Sequence, residues 1–391
     1  MVQIDYNIEK MKIGIDIRCL MESQWSGISE YTYNLLNHLF KIDSQNQYFL
    51  FYNQSKKITP PKFNFSNVTL KGFNYPNKFF NLALRFLKIA EVDKMIGGVD
   101  VFLMTNFLFL NLSQTCKKIL IVHDLSFELY PEFFTLKKRL WHKLIGPKRL
   151  CQQADKIIAI SQNTKNDIVK FYGIDPKKIE VVYNGINEIF FQPITVEKKQ
   201  TVKAKFKLED DYIFYLGNLE PRKNVETLIA AFQNLKNQSI QLAIAGGQAW
   251  KYKKIYRLWQ KSPAKERIKF LGYVDAADKP ALYSMAKIFV YPSIYEGFGL
   301  PPLEAMACGT PVISSFNSSL IEAIAAAGLL IDPYNVKELT EIINQLLAEQ
   351  RLQNLLIEKG LKHCQQFQWQ KTAQRILEIL MFQRINNKHS S

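Results

Sequence analysis

Short apolar runs alternate with helical patterns along almost the whole chain. "KIGIDI", "YFLFYN", "DVFLMT", "KILIVHDL", "KIIAIS" and "IEVVYNGI" read as strands of a first half. "YIFYLGNL", "IQLAIAGG", "IKFLGYV", "KIFVYPS", "TPVISS" and "GLLIDP" read as strands of a second. These runs are nearly continuous in apolar residues, as strands buried on both faces require. Between them, "GISEYTYNLLNHLF", "QNTKNDIVKFYG" and "NVETLIAAFQNLK" carry helical periodicity. Repeated strand–helix alternation predicts an α/β class with two parallel sheets, each covered by helices on both faces. The expected domains are 1–195 and 196–365, followed by a final helical segment over 366–391. Residues 1–10 read as a polar extension, and the Lys-rich stretch 197–211 reads as a linker into the second half.

One stretch carries more than packing information. "YPSIYEGFGLPPLEAMACGTPVISS" (291–315) reads as the end of a strand, a glycine turn, a short helix and the next strand. Gly297 and Gly299 permit positive φ and close approach of a ligand. Pro301 and Pro302 suit a helix start, where a missing N–H costs nothing. Gly309 suits a helix stop. In an open parallel sheet, ligands sit beyond the C-terminal strand ends, and the free amides of a helix start favour an anion. Glu296 is expected at the strand end and Glu304 in the first helical turn. A second stretch, "YLGNLEPRKNVETLI" (215–229), sets Arg222 and Lys223 before a helix, an arrangement suited to phosphate. In the first half, His123 ends a strand in "LIVHDLSF", and Gly27 lies near a helix start in "SGISEY". Gly246 in "AIAGG" and Asn184 in "VVYNGI" are further candidates at strand ends, though as ordinary turn residues they carry little signal alone.

Composition narrows the class. A chain of 391 residues is too long for one ordinary core. With 47% hydrophobic and 22% charged residues it reads as soluble and globular. Five scattered cysteines without a Cys-x-x-Cys pair point to a reducing compartment, and no apolar leader or spanning run is visible, so a cytoplasmic protein is expected. The net charge of +16 suits nucleic acid, anionic lipid or an anionic substrate. No nucleic-acid module is recognisable, so no nucleic-acid partner is expected. The segment "TLKKRLWHKLIGPKRL" (135–150) stays open between two readings. It is a core-facing helix with a solvated basic side, or an interfacial helix on the inner face of an anionic membrane. No Asp-x-Asp, G-x-G-x-x-G or P-loop pattern occurs. No metal site or cofactor is therefore expected, and the charge of a bound diphosphate falls to Arg222, Lys223 and helix dipoles.

"YLGNLEPRKN", "GYVDAADKPALYSMAKIFVYPSIYEGFGLPPLEAMACGTPVISS" and "HDLSF" resemble the retaining glycosyltransferases of family four, with the GT-B fold of two Rossmann-like domains. The similarity spans roughly 11–380 and is greatest to bacterial mannosyltransferase-like members of surface-polysaccharide pathways. The resemblance implies a nucleotide-sugar donor held by the second domain and a glycan or lipid-linked acceptor held by the first. It also implies a last helix that crosses back onto the first domain. Residue by residue, it implies Glu296 on hydroxyls of the transferred sugar and Glu304 on the ribose. Amides of Phe298, Gly299 and Leu300 would cradle sugar and phosphate. Lys223 with Arg222 would stabilise the leaving diphosphate, His123 would contact the donor sugar, and Gly27 would let the first loop approach the phosphates. Asn218 stands where many members have Arg, Gly27 stands alone where some have Gly-Gly, and "SLIEAIAAAGLLIDPYN" replaces an acidic turn with alanines. An epimerase or hydrolase on this fold would need further acids and histidines in the cleft. A basic binding protein would not need Glu296 and Glu304 there.

Overall fold

The computed structural model describes residues 10–22, 25–54, 58–87 and 90–388. Most of the expected N-terminal extension, and residues 389–391 of the expected final helix, lie outside the described residues. Among the described residues thirteen strands form two sheets, and every pairing between them is parallel. The first sheet has seven strands: β1 (Lys12–Asp16), β2 (Gln47–Asn53), β3 (Val68–Phe73), β4 (Val101–Met104), β5 (Lys117–Val122), β6 (Lys156–Ala159) and β7 (Ile179–Val181). Their spatial order is β3-β2-β1-β4-β5-β6-β7. The second sheet contains β8 (Tyr212–Leu216), β9 (Gln241–Ala245), β10 (Ile268–Gly272), β11 (Ile288–Tyr291), β12 (Val312–Ser315) and β13 (Leu329–Ile331), in the order β10-β9-β8-β11-β12-β13. β4, β8, β9, β11 and β12 are buried at every position, which is why they read as unbroken apolar runs.

Each order reverses once, between β1 and β4 in the first sheet and between β8 and β11 in the second. At such a reversal the flanking connections leave on opposite faces, and a crevice opens beyond the strand ends. The loops after β8 and β11 hold the two stretches singled out in the sequence.

The structure departs from the sequence reading in several elements. β3 was not expected; it is a half-exposed edge strand without an apolar face, so periodicity gives it no signal. Most of the expected linker is a helix, Val196–Phe206, whose first turn is capped by the Thr195 hydroxyl at 3.2 Å from Lys198 N. Lys198 and Lys205 tie this helix to Asp278 at 2.5 and 2.7 Å, so the lysines that suggested solvent make specific ion pairs. The alanine-rich turn folds as a short helix, Leu320–Ile324, followed by Ala325 at φ 47°.

The chain returns to the first half at its end. Ile186 N donates to Phe367 O at 3.0 Å, and Thr372 Oγ1 donates to Tyr183 O at 2.8 Å. The last helix, Trp369–Lys388, then packs along the helix Gly27–Ile42, with Trp369 edge-on to Tyr31 at 5.4 Å. Gly185 makes this crossing possible, because a Cβ there would sit 2.2 Å from the Trp369 backbone nitrogen. At Gly27 a Cβ would meet nothing within 4 Å. Gly185→Ala therefore lowers unfolding stability by about 1–3 kcal/mol, the usual cost of overpacking, while Gly27→Ala stays within about 0.5 kcal/mol of the parent. Urea unfolding of the two variants checks this; equal midpoints would show that the crossing yields freely.

Candidate active site

β11 ends at Tyr291, and the chain turns through residues 292–299 before the helix Leu300–Ala307. Glu296 points inward from this turn and is only 7% exposed. Its Oε1 accepts from Ser293 Oγ at 2.5 Å, Lys223 Nζ at 2.6 Å and Tyr291 OH at 3.1 Å. Its Oε2 accepts from Arg222 Nη1 at 3.1 Å. Lys223 Nζ also donates to Tyr291 OH at 2.6 Å. Burial alone would raise the Glu296 carboxyl, but Lys223 and then Arg222 outweigh it and hold the group at about 2. Arg222 is gripped from its other side by Glu220, whose Oε1 accepts from Nε and Nη2 at 3.2 and 2.8 Å, and Nη1 donates to Tyr295 O at 2.7 Å. Burial works against the Arg222 charge, yet Glu296 and Glu220 raise its pKa well above the usual value. Two cations and two carboxylates thus form one buried cluster with no net charge.

The loop that carries these cations is fixed locally. Pro221–Lys223 make a single 3-10 turn, and Asn224 follows at φ 55°, a conformation that asparagine tolerates. Its side-chain amide donates to Pro292 O at 3.1 Å and Pro333 O at 2.7 Å. The loop after β8 is thereby fastened to the loops after β11 and β13.

Glu304 sits apart from this cluster. The helix begins at Leu300 and has no acid in its first turn, so Glu304 lies one position deeper than the sequence reading placed it. Tyr283 OH donates to its Oε2 at 3.0 Å. Burial pushes its carboxyl up to about 7, with Lys279 opposing. Lys279 Nζ donates to Glu30 Oε1 at 3.1 Å. Glu30 belongs to the first turn of the helix Gly27–Ile42, so this lysine links the two halves beside Glu304. Gly27 opens the same helical turn. Gly299 starts the helix Leu300–Ala307 at φ 104°, where a Cβ would lie 2.6 Å from Leu320 Cδ2, and no side chain caps the first amides. Pro301 and Pro302 have no N–H, so the Leu300 amide is the one donor of the helix start that remains available to an anion, next to the turn amides of Phe298 and Gly299. The Phe298 ring is buried against Tyr183 and Phe367, both at 5.6 Å, which leaves only its backbone for a ligand.

His123 meets the glutamate turn through its main chain. A Cβ at Gly297 would sit 2.0 Å from His123 O, so only glycine lets the two halves close here. The ring Nε2–H donates to Thr105 O at 2.9 Å, and burial lowers the imidazole pKa, which keeps it neutral. One further candidate is explained by packing. A Cβ at Gly246 would sit 1.9 Å from Gly217 O, so this glycine lets two strand ends touch. Asn184 is buried where the end of β7 meets the last helix, and its Oδ1 has no hydrogen-bond partner. Sequence reasoning missed Glu220, Lys279, Tyr283, Tyr291 and Ser293. Glu220 was legible as the acid two positions before Arg222. The others act through contacts far apart in sequence. Glu322 was missed as well; its carboxylate reaches across the cleft to the amides of Gln162 and Asn163, each at 2.9 Å.

The arrangement is a charge-neutral ion cluster at one strand end, a carboxylate of raised pKa in the helix that follows, and between them a turn and helix start that no side chain caps. Comparison with known proteins fits it. The family model "Glycosyltransferase Family 4" matches residues 25–189, and "Glycosyl transferases group 1" matches residues 196–363. The O-antigen chain mannosyltransferase B of Escherichia coli is 32% identical over 259 residues, covering 65% of this chain and 68% of that protein. The Escherichia coli serotype-specific mannosyltransferase WbdA is 30% identical over 268 residues, but the match covers 67% of this chain and only 33% of that longer protein. Among solved structures, sucrose-phosphate synthase from Thermosynechococcus elongatus superimposes with a TM-score of 0.76 at 21% identity, covering 95% of this chain and 98% of that one. Anabaena HepE, in complex with UDP and glucose, gives 0.72 at 20% identity over 95% and 99%. With both halves matched and a relative this similar over two thirds of its length, the chain belongs to the family 4 glycosyltransferases of GT-B fold.

Proposed function

We propose that the protein is a retaining hexosyltransferase that moves mannose from a nucleotide-diphosphate sugar to a glycan or lipid-linked saccharide in surface-polysaccharide biosynthesis. The observation that carries this reading is the buried Glu296–Lys223–Arg222 cluster beside the uncapped start of the helix Leu300–Ala307. The mannosyltransferase relatives favour mannose, and the UDP complex of a protein of this fold supports a nucleotide-sugar donor. The diphosphate lies against the amides of 298–300 and the Lys223 ammonium. Glu304 accepts from both ribose hydroxyls. Glu296 accepts from the transferred sugar through Oε2, the oxygen with a single partner in the protein, and its ionised state stabilises positive charge at the reacting carbon. No nucleophile is assigned; the acceptor approaches on the face that the diphosphate leaves. The departing phosphate oxygen takes the acceptor proton while Lys223 holds the developing charge. Arg222, whose N–H groups are nearly all engaged within the protein, keeps Glu296 charged and in place. Charge neutralisation is metal-free in this account.

Lys223→Ala lowers kcat/KM by the equivalent of about 2–4 kcal/mol, as loss of a charge-stabilising donor does. Turnover of the parent persists in excess EDTA. Abolition by chelation with rescue by magnesium overturns the metal-free account. A thermal-shift panel of GDP-, UDP-, ADP- and dTDP-sugars identifies the donor, because a ligand that binds only the folded state raises its stability.

The two glutamates fail differently. Glu304→Gln raises donor KM and weakens nucleoside diphosphate by about 1–3 kcal/mol, the range for a lost charged hydrogen bond. Glu296→Gln lowers kcat and leaves the bare nucleotide's affinity nearly unchanged. Calorimetry on both variants separates the roles, and the reverse pattern means that they are assigned the wrong way round.

The Glu304 carboxyl also sets a pH dependence. Its pKa of about 7 lies above the usual 4.5. Its contribution to stability is therefore full below about 4.5 and is lost as pH rises through about 7 in the ligand-free protein. Nucleotide binding runs the other way. The ionised carboxylate accepts from the diol, so affinity rises as pH passes about 7. Glu304→Gln flattens both profiles; titrations that keep their slope in the variant assign the proton to another group.

A further inference from the structure

The segment 135–150 stayed open between a core-facing and an interfacial helix, and the structure decides which side its leucines take. The helix Leu136–Ile145 buries Ile145 but leaves Leu136 80% and Leu140 58% exposed, with Leu144 and Trp141 exposed beside them. A second helical run, residues 77–87, leaves Phe79 73% and Phe86 57% exposed, with Leu82 and Leu87 also exposed. Sequence reading had not singled out this run. The two runs are held side by side, with Arg85 Nε donating to Leu144 O at 3.0 Å. Among the described residues, nothing in the fold covers these side chains, and together they are more apolar surface than scattered exposed leucines.

Charge decides what covers it. Residues 77–87 carry Lys78 and Arg85, residues 135–150 carry six Lys or Arg, of which all but Lys138, turned to Trp250, are left for this face, and neither segment has an Asp or Glu. A second copy of the chain meeting this face about a two-fold axis would set like charges against one another. An anionic lipid surface is complementary to both features: it takes the aromatic and leucine side chains at the headgroup boundary and pairs with the cations around them. A cavity of about 380 Å³ lies at the edge of this surface, lined by Leu84, Arg85, Lys118 and Arg149 among others. The Arg149 Nε is buried there without a hydrogen-bond partner. The nearby acid, Glu91, is already paired with Lys94 at 2.5 Å.

We propose that residues 77–87 and 136–145 together form a docking surface for an anionic membrane, with a lipid headgroup phosphate seated against Arg85 and Arg149. The proposal holds whichever sugar is transferred. It is tested on the full chain by co-sedimentation with phosphatidylcholine vesicles, with and without a minority of phosphatidylglycerol. The protein pellets with the anionic vesicles only, and less of it does so as salt shortens the Debye length below about 10 Å. The quadruple variant Phe79→Ser, Phe86→Ser, Leu136→Ser, Leu140→Ser loses about tenfold or more of that binding, since it removes apolar insertion and keeps every cation. All four side chains are exposed, so its thermal midpoint and its affinity for nucleoside diphosphate stay those of the parent, which separates this test from that of the transferase reading. Binding to both vesicle types alike, binding to neither, or full binding by the quadruple variant overturns the proposal. A parent that dimerises in light scattering, while the variant does not and neither binds vesicles, assigns the face to a second copy and overturns it as well.

Discussion

A carboxylate buried at the end of a central strand is the constraint on which this site depends. Taking one ion out of water costs on the order of several kcal/mol, and a buried pair returns that only with good geometry and satisfied lone pairs. Glu296 meets both conditions. Each oxygen has a cationic partner, and Ser293 and Tyr291 take up the remaining capacity of Oε1. Satisfying Glu296 in turn fixes where Arg222 and Lys223 lie. That sets the path of the loop after β8, and Asn224 then locks this loop to the loops after β11 and β13. One ion cluster therefore positions three strand ends around the crevice. The neutral sum of Glu220, Arg222, Lys223 and Glu296 keeps the ligand-free cluster tolerable. In the function proposed above, a diphosphate would meet the uncapped Leu300 amide and an ammonium whose bond to Glu296 is already formed.

The sequence made the strands of both sheets legible because buried parallel strands are unbroken apolar runs, and the two strand-end stretches legible because glycine, proline and charge punctuate them. It did not make β3 legible, since a half-exposed edge strand lacks that run. The helix Val196–Phe206 looked like a linker because its lysines are polar in composition. Their ion pairs to Asp278 are formed across some seventy to eighty residues and cannot be read from local pattern. Glu296, Arg222 and Lys223 were visible as candidates, but the clamp on Arg222 by Glu220 was not used. Lys279, Tyr283 and Tyr291 gave no local signal, because each matters only through what the fold brings to it.

The seam between the halves is built from the same chemistry as the site. Gly297 lets the glutamate turn lie against the His123 carbonyl, and Lys279 spans from Glu30 to the neighbourhood of Glu304. Glu322 accepts from the first amides of the helix Gln162–Tyr172, so an acid of the second half caps a helix of the first. Each contact joins a residue next to the crevice in one half to a backbone or charge in the other. Separating the halves exposes unpaired amides and charges at the crevice itself, so the closed arrangement and the assembled site rise and fall together.

The helix Leu136–Ile145 extends this coupling outward. Its leucines face away from the protein, yet Lys138, on the same helix, lays its ammonium 3.4 Å from the centre of the Trp250 ring in the second half. Trp250 is held there by Phe133 O, which accepts from its Nε1 at 2.6 Å, and by stacking on Phe134 at 5.5 Å. Burial lowers the Lys138 pKa, with Glu220 opposing and Arg222 adding to it, so the ammonium feels the charges of the buried cluster. One short helix thus has an apolar face turned to the outside and a cation turned to the cleft. Lys138 and Trp250 join this helix, whose leucines are exposed, to the second half.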